Sequence, residues 1–254
     1  MTMNPAPMLL TPPFLRHLAL LLALLCFGTA DLVLASPANV IIRVPTGTPV
    51  PARLPELLAK WRQSGQVANV LYLTDGRSEK PERSAKFAAI AVLDFPSEGS
   101  CESWLKADAA ALPAGLIVRR ADALANGELS PRDSNRSIFV VNTYTPTVPA
   151  DRFAEYVAGY VHPLYEAMRG TKHLVRYTAY LERGETGKVD ALNVLEYRDD
   201  VAHAAMAALK SGIRQQVAAA TPTYAAFDKI KDTLRIDGYG TTATYTELPP
   251  PGSQ

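Results

Sequence analysis

Residues 191–197 read Ala-Leu-Asn-Val-Leu-Glu-Tyr. Side chains alternate between the two faces of a strand, so Ala191, Leu195 and Tyr197 point one way while Leu192 and Val194 point the other. A strand that is apolar on both alternating sets belongs in a sheet covered on both faces. The sequence must therefore supply two covering layers.

Moving outward, the turn-forming Gly184-Glu185-Thr186-Gly187 separates this strand from another at Leu174 to Leu181. Before it lies a helix from Asp151, in which Phe153, Tyr156, Val157, Tyr160, Val161, Leu164, Tyr165 and Met168 form one broad apolar stripe that Gly170 ends. Ile138 to Tyr144 reads as a strand, followed by a loop punctuated by Pro146 and Pro149. Beyond residue 197 a helical region from about Val201 to Leu234 breaks near Thr221-Pro222, and Ile236 to Tyr245 supplies a last strand.

The first half has the same order. Val40 to Val44 is strand-like, and Leu54, Leu57, Leu58 and Trp61 recur at helical spacing. Val67 to Leu73 and the apolar run Phe87 to Phe95 read as strands on either side of a charged turn. Ser100 to Leu112 reads as a helix stopped by Pro113 and Gly115, and Leu116 to Ala123 closes the set. Strand, helix, strand, strand, helix, strand thus occurs twice. Such a βαββαβ unit carries both helices on one face of its sheet, and two units in one chain can cover each other's open faces. The expected fold is α+β, two tandem ferredoxin-like units packed sheet to sheet as an intrachain barrel.

Composition agrees with a globular protein: 254 residues, 48% hydrophobic and 20% charged. A formal net charge of +1 and the lack of a long basic run argue against nucleic-acid binding. At the N-terminus, Arg16 and His17 precede the apolar stretch Leu18 to Phe27, and Val33-Leu34-Ala35 before Ser36 is a small-x-small cleavage pattern. Residues 1–35 are read as a signal peptide, and the protein as periplasmic or secreted, free of the membrane after cleavage. Asp31 interrupts the apolar run short of a membrane span. Residues 36–127 form the first unit, 128–136 a linker, 137–247 the second unit and 248–254 a disordered tail. Cleavage removes Cys26 and leaves Cys101 as a buried small apolar residue without a disulfide partner.

The chain resembles the dimeric α+β barrel superfamily, in which two ferredoxin-like units close sheet against sheet. The first half resembles small single-unit members through Asp94-Phe95-Pro96-Ser97, Trp104-Leu105 and residues 116–122. The second half resembles the EthD-type branch through Phe153, Tyr156, His162-Pro163-Leu164, Gly170 and Tyr177. It departs from that branch where His162 adjoins Pro163 directly and where Arg169 replaces the usual Pro before Gly170. The resemblance implies the fold; one superfold hosts many unrelated activities.

His162 falls on the polar arc of an ideal helical wheel with Glu155, Glu166 and Arg169, although a kink at Pro163 would turn its ring toward a sheet end. Its side chain suits proton transfer. Asn142, Arg176, Asn193 and Glu196 are polar residues inside strands that otherwise favour apolar neighbours, and buried polar groups must be paired. Facing an inter-sheet space they would form a network or a ligand site; at strand ends they are solvated rim. A guanidinium at Arg176 would favour a carboxylate or carbonyl ligand. His173 and His203 could join His162 only through tertiary proximity, and no spacing preorganises a metal. The expected reading is an exported barrel protein with a small hydrophobic or aromatic ligand between its sheets, a cofactor-independent oxygenase or isomerase of the EthD-like kind. His162 is assigned as proton shuttle, Arg176 and Asn142 as polarising groups, and Tyr177, Asn193 and Tyr239 as ligand contacts. Haem-degrading relatives of the superfamily carry an Asn on a first strand, which Asn142 matches, and this leaves haem as an alternative to having no cofactor. A non-catalytic binding or oligomerisation protein is the competing reading. With both halves in one chain a monomer suffices, though a homo-oligomer stays open.

Overall fold

The computed structural model describes residues 38–128, 136–184 and 189–250. The signal-peptide reading, most of the expected linker and the last four residues lie outside these segments. The described residues fall in one compact unit. Among them no helix is long and apolar enough to cross a membrane.

The first half runs β1 (Ala38–Val44), α1 (Leu54–Gln63), β2 (Asn69–Ser78), β3 (Ala89–Phe95), α2 (Glu98–Ala107) and β4 (Ile117–Glu128). The second runs β5 (Ile138–Pro146), α3 (Ala150–Tyr156), a five-residue π-helical turn (Val157–Val161), α4 (His162–Gly170), β6 (Leu174–Arg183), β7 (Val189–Tyr197), α5 (Asp200–Ala220), α6 (Pro222–Leu234) and β8 (Arg235–Tyr245). Local chemistry marks several boundaries. Ser97 and Ser100 form a reciprocal capping box at the start of α2, and the Asp199 carboxylate accepts from the Ala202 N–H at 2.6 Å to start α5. Thr221-Pro222 divides α5 from α6, as its lost backbone donor requires.

Two local expectations are refined. The long helix of the second half is not regular: Pro163 has no N–H to return to the Gly159 carbonyl, and the turn before it widens to π geometry. Gly170 ends α4, but the left-handed residue is Lys172, with φ of 63°.

The strands form a single closed barrel in the order β1-β3-β2-β8-β5-β7-β6-β4. Each half has the ferredoxin-like order, β4-β1-β3-β2 and β8-β5-β7-β6. The halves join edge to edge, β2 pairing with β8 and β4 with β6, all antiparallel. The expected sheet-to-sheet closure is thus achieved by a continuous ladder.

Three apolar clusters follow. Outside the barrel, one packs α1 and α2 on the first half-sheet around Trp61 and Trp104, whose rings meet edge to face at 4.9 Å. Cys101 is buried there, and burial raises its thiol pKa to about 11, which keeps it protonated and unreactive. Leu248, at the start of the expected tail, is 3% exposed in the same cluster, so the ordered chain continues past β8. Glu128, assigned to the linker, is the last residue of β4. A second cluster packs the helices of the second half on the outer face of its sheet through Ala191, Leu195 and Tyr197. The third fills the barrel with Ile41, Val92, Phe139, Val141, Leu192 and Val194. The two faces of residues 191–197 therefore lie in different cores.

At one end of the barrel, a space of about 260 Å³ is lined by Arg43, Lys86, Thr143 and Asp190, and Arg43 pairs with the buried Glu182. Burial raises the Glu182 pKa to about 7; Arg43 lowers it, Asp190 adds to the rise and Arg119 opposes it. A carboxyl whose folded pKa exceeds its unfolded value contributes stability below the unfolded value, and that contribution disappears as pH rises through the folded value. Thermal denaturation from about pH 5 to about pH 8 should show the wild type losing on the order of a few kcal/mol relative to Glu182→Gln. Parallel pH profiles for the two proteins would disprove the assignment.

Candidate functional site

The opposite barrel end is where polar side chains converge. Its inner rim is built from two cross-strand rows. In the first half, Asp94 on β3 lies opposite Asn39 of β1 on one side and Asn69 of β2 on the other. In the second, Glu196 on β7 lies opposite Phe139 of β5 and Arg176 of β6, and Arg176 in turn lies opposite Glu128 of β4. Together they surround a cavity of about 330 Å³ whose floor is Leu71, Val92, Phe139 and Val194, with Tyr180 in the wall. That volume lies at the lower end of the range for small-molecule pockets.

Of the polar strand residues singled out in the sequence, Arg176 and Glu196 line this cavity, and the surroundings of Arg176 change its expected role. It forms an ion pair with Glu128, and its Nε lies 3.7 Å from Glu196 Oε2. Glu196 is 1% exposed and accepts from the Ser137 hydroxyl at 2.9 Å. The guanidinium is thus held between carboxylates. Asp94 accepts from the Asn69 amide at 3.0 Å. Burial raises the Asp94 pKa, while the Asn69 hydrogen bond and the Arg176 charge draw it back down.

His162 does not line this cavity. Its Nδ1 lies 2.6 Å from the Tyr177 hydroxyl, which donates to Glu166 Oε1 at 2.8 Å. Arg169 holds Glu166 through Nη2 at 2.5 Å, lowering the Glu166 pKa, and reaches the Glu128 carbonyl at 3.2 Å. His162 and Arg176 therefore stand on the two sides of β6, since Tyr177 points outward where Arg176 points inward. Tyr177 nevertheless borders the cavity alongside Gly127. The π turn ahead of Pro163 alters the helical phase, and the ideal wheel that put His162 on the solvent side no longer applies.

The remaining candidates lie elsewhere. Asn142 and Asn193 are neighbours across β5 and β7 but face the helices, not the space between the half-sheets; the Asn193 amide donates to the Tyr165 hydroxyl at 2.9 Å. They share the strand parity of Val140 and Leu195, both in the outer cluster. Tyr239 sits beyond the opposite end under Lys86, 4.4 Å from its ring centre, and donates to the Ser84 carbonyl at 2.5 Å. It packs a loop instead of lining the cavity. His203 bonds Glu79 at 3.1 Å and packs at a tilt against the Tyr197 ring, with centroids 4.8 Å apart.

Asn39, Asn69, Asp94 and Glu128 were not singled out by sequence reasoning. One signal existed: Asp94 is a charge inside the apolar run Ala89–Phe95. Among the described residues no group of three His, Cys, Asp or Glu side chains is placed to hold a metal ion. A haem does not fit the cavity lining, which offers no His, Cys or Met as axial ligand. Its tyrosines, Tyr177 and Tyr180, are held as neutral phenols by burial.

Comparison with protein-family models and with curated protein sequences returns no match. Solved structures do match in shape. An anthrone oxidase-like protein superposes with a TM-score of 0.51 over 84% of this chain and 92% of its own at 11% identity. For a candidate monooxygenase from Lactobacillus acidophilus NCFM the values are 0.47, 83%, 93% and 11%. For a variant chlorite dismutase from Candidatus Nitrospira defluvii they are 0.44, 84%, 93% and 12%. The first likeness shows that the α+β barrel built by this chain is a fold shared with that protein. At such identities it carries the fold alone.

Gly127 brings the outer hydrogen-bonded chain close to the cavity. A Cβ there would stand 2.5 Å from Tyr177 Cε1 and closer still to Glu166 Oε1. Gly127→Ala should therefore destabilise the protein by about 1–3 kcal/mol in urea denaturation. In a Tyr177→Leu background the same change should cost less than half as much, a coupling that a double-mutant cycle measures. Additive costs would show that the ring does not need this gap.

Proposed function

We propose that this protein binds a small hydrophobic or aromatic molecule at the polar end of its barrel, between the two half-sheets. The observation that carries the reading is the cavity of about 330 Å³ with an apolar floor and a rim of amides, carboxylates and one guanidinium. An eight-stranded barrel interior is either filled by side chains or holds one small ligand. Here its middle is filled and this end is not. A single chain supplies both half-sheets, so the site forms in a monomer. We assign the protein to the periplasm or outside of the cell on the leader-like residues 1–35.

A second reading, a cofactor-independent oxygenase or isomerase of the EthD-like kind, draws on the hydrogen-bonded chain His162, Tyr177 and Glu166. It could pass a proton along the outer side of β6 while Tyr177 borders the cavity. The anthrone oxidase-like description of a structural relative is compatible with this chemistry.

The test is thermal stability against a panel of quinones, aromatic acids and aromatic amines. A ligand at about a hundred times its Kd should raise Tm by about 5–10 °C, because only the folded barrel binds it. Val194→Trp, which fills the floor, should abolish the shift in a protein that still unfolds cooperatively. A shift that survives this substitution would place the ligand elsewhere. For the catalytic reading, oxygen uptake or isomerisation of the bound ligand should fall in Tyr177→Phe while the Tm shift remains.

A further inference from the structure

The rim determines what kind of polar group the ligand brings. Among the residues lining the cavity there is one cation, Arg176, and there are three carboxylates, Asp94, Glu128 and Glu196. Arg176 is engaged by two of these. A ligand carboxylate would have to displace Glu128 or Glu196 from the guanidinium and then sit beside the displaced charge, an arrangement that like-charge repulsion opposes. The expectation that Arg176 recruits an acid is therefore reversed by its neighbours.

Asp94 supplies the complementary half of the argument. It faces the cavity across from Arg176, flanked on adjacent strands by Asn39 and Asn69. Among the described residues no cation lies within ion-pair distance of it; its hydrogen bond comes from the Asn69 amide. A carboxylate is acceptor-only and an amide carbonyl accepts as well, so this row presents acceptors to whatever enters. Below it lie Leu71, Val92 and the ring of Tyr180. A protonated nitrogen on an apolar body matches both levels, with the cation at the carboxylate and the body against the floor and the aromatic face.

Resting on the reading of this cavity as a ligand site, we infer that its ligand is an amine: a primary or secondary ammonium group held by Asp94 and the neighbouring Asn side chains, attached to a hydrophobic or aromatic body seated on the apolar floor. The excess of carboxylates then serves selection, excluding acids of the same shape.

Matched probes separate this inference from the reading beneath it. Phenylbutylamine, phenylbutanol and phenylbutyrate, with naphthyl and alkyl counterparts, share a body and differ in the charge of the head group. In calorimetric titrations of the full-length protein the amine should bind tightest and the acid weakest, with about ten-fold between successive members. Asp94→Asn should weaken the amine about ten-fold and leave the alcohol within about two-fold. Glu128→Gln, at the half-exposed rim and outside the core, should weaken the amine and strengthen the acid by releasing Arg176; it keeps the test decisive if Asp94→Asn fails to fold. Acid or alcohol binding as tightly as the amine would overturn the inference and leave the ligand site standing. Binding of no probe of any charge would remove the ligand site and the inference together.

Discussion

Everything in this molecule depends on two seams, β2 with β8 and β4 with β6. Without them each half-sheet would expose two edges of unpaired backbone donors and acceptors, and an inner face carrying Ile41, Val92, Phe139, Leu192 and Val194. Closure satisfies both needs at once. It also explains why the strands of the second half are apolar on both faces: one set packs on helices, the other on the opposite half of the barrel.

A closed barrel has an inside with two ends, and the ends differ from the middle for a simple reason. Side chains in the middle meet only other side chains, and apolar residues fill that space at interior packing density. At the ends water can reach the rim, so charged residues are tolerated if they are paired. Arg43 with Glu182 occupies one end, and Arg176 with Glu128 and Glu196 the other. The two ends are not equivalent. In the second, Asn39, Asp94 and Asn69 leave a recess over apolar side chains, which combines the polar rim and the floor that the proposed ligand site requires.

The site illustrates how far strand parity carries an argument and where it stops. Alternation puts Arg176 and Tyr177 on opposite faces of one strand, and Asn142 and Asn193 on the face of Val140 and Leu195. A strand covered on both sides gives no sign of which face meets helices and which meets the barrel interior; packing settles it, through Tyr165 against Asn193 and Glu196 beside Arg176. For His162 the ideal helical wheel gave the solvent side and a kink at Pro163 a sheet end; the π turn before Pro163 shifts the helical phase, and the ring lies 2.6 Å from the Tyr177 hydroxyl of β6. Tyr239 is 155 residues along the chain from its loop partner Ser84 and nearly as far from Lys86, and local patterning cannot report such a pairing.

The sequence by itself determined the order of elements, the doubled βαββαβ pattern, the two-sided burial of its strands and the burial of Cys101, because these follow from periodicities within a few residues of each other. Only the tertiary structure decided which strand edges join, which face of each strand looks into the barrel, and that Arg176 meets two carboxylates there. Those outcomes depend on contacts between residues far apart along the chain. Hydropathy states that a side chain is buried, but the charge of its distant neighbours decides what it can bind.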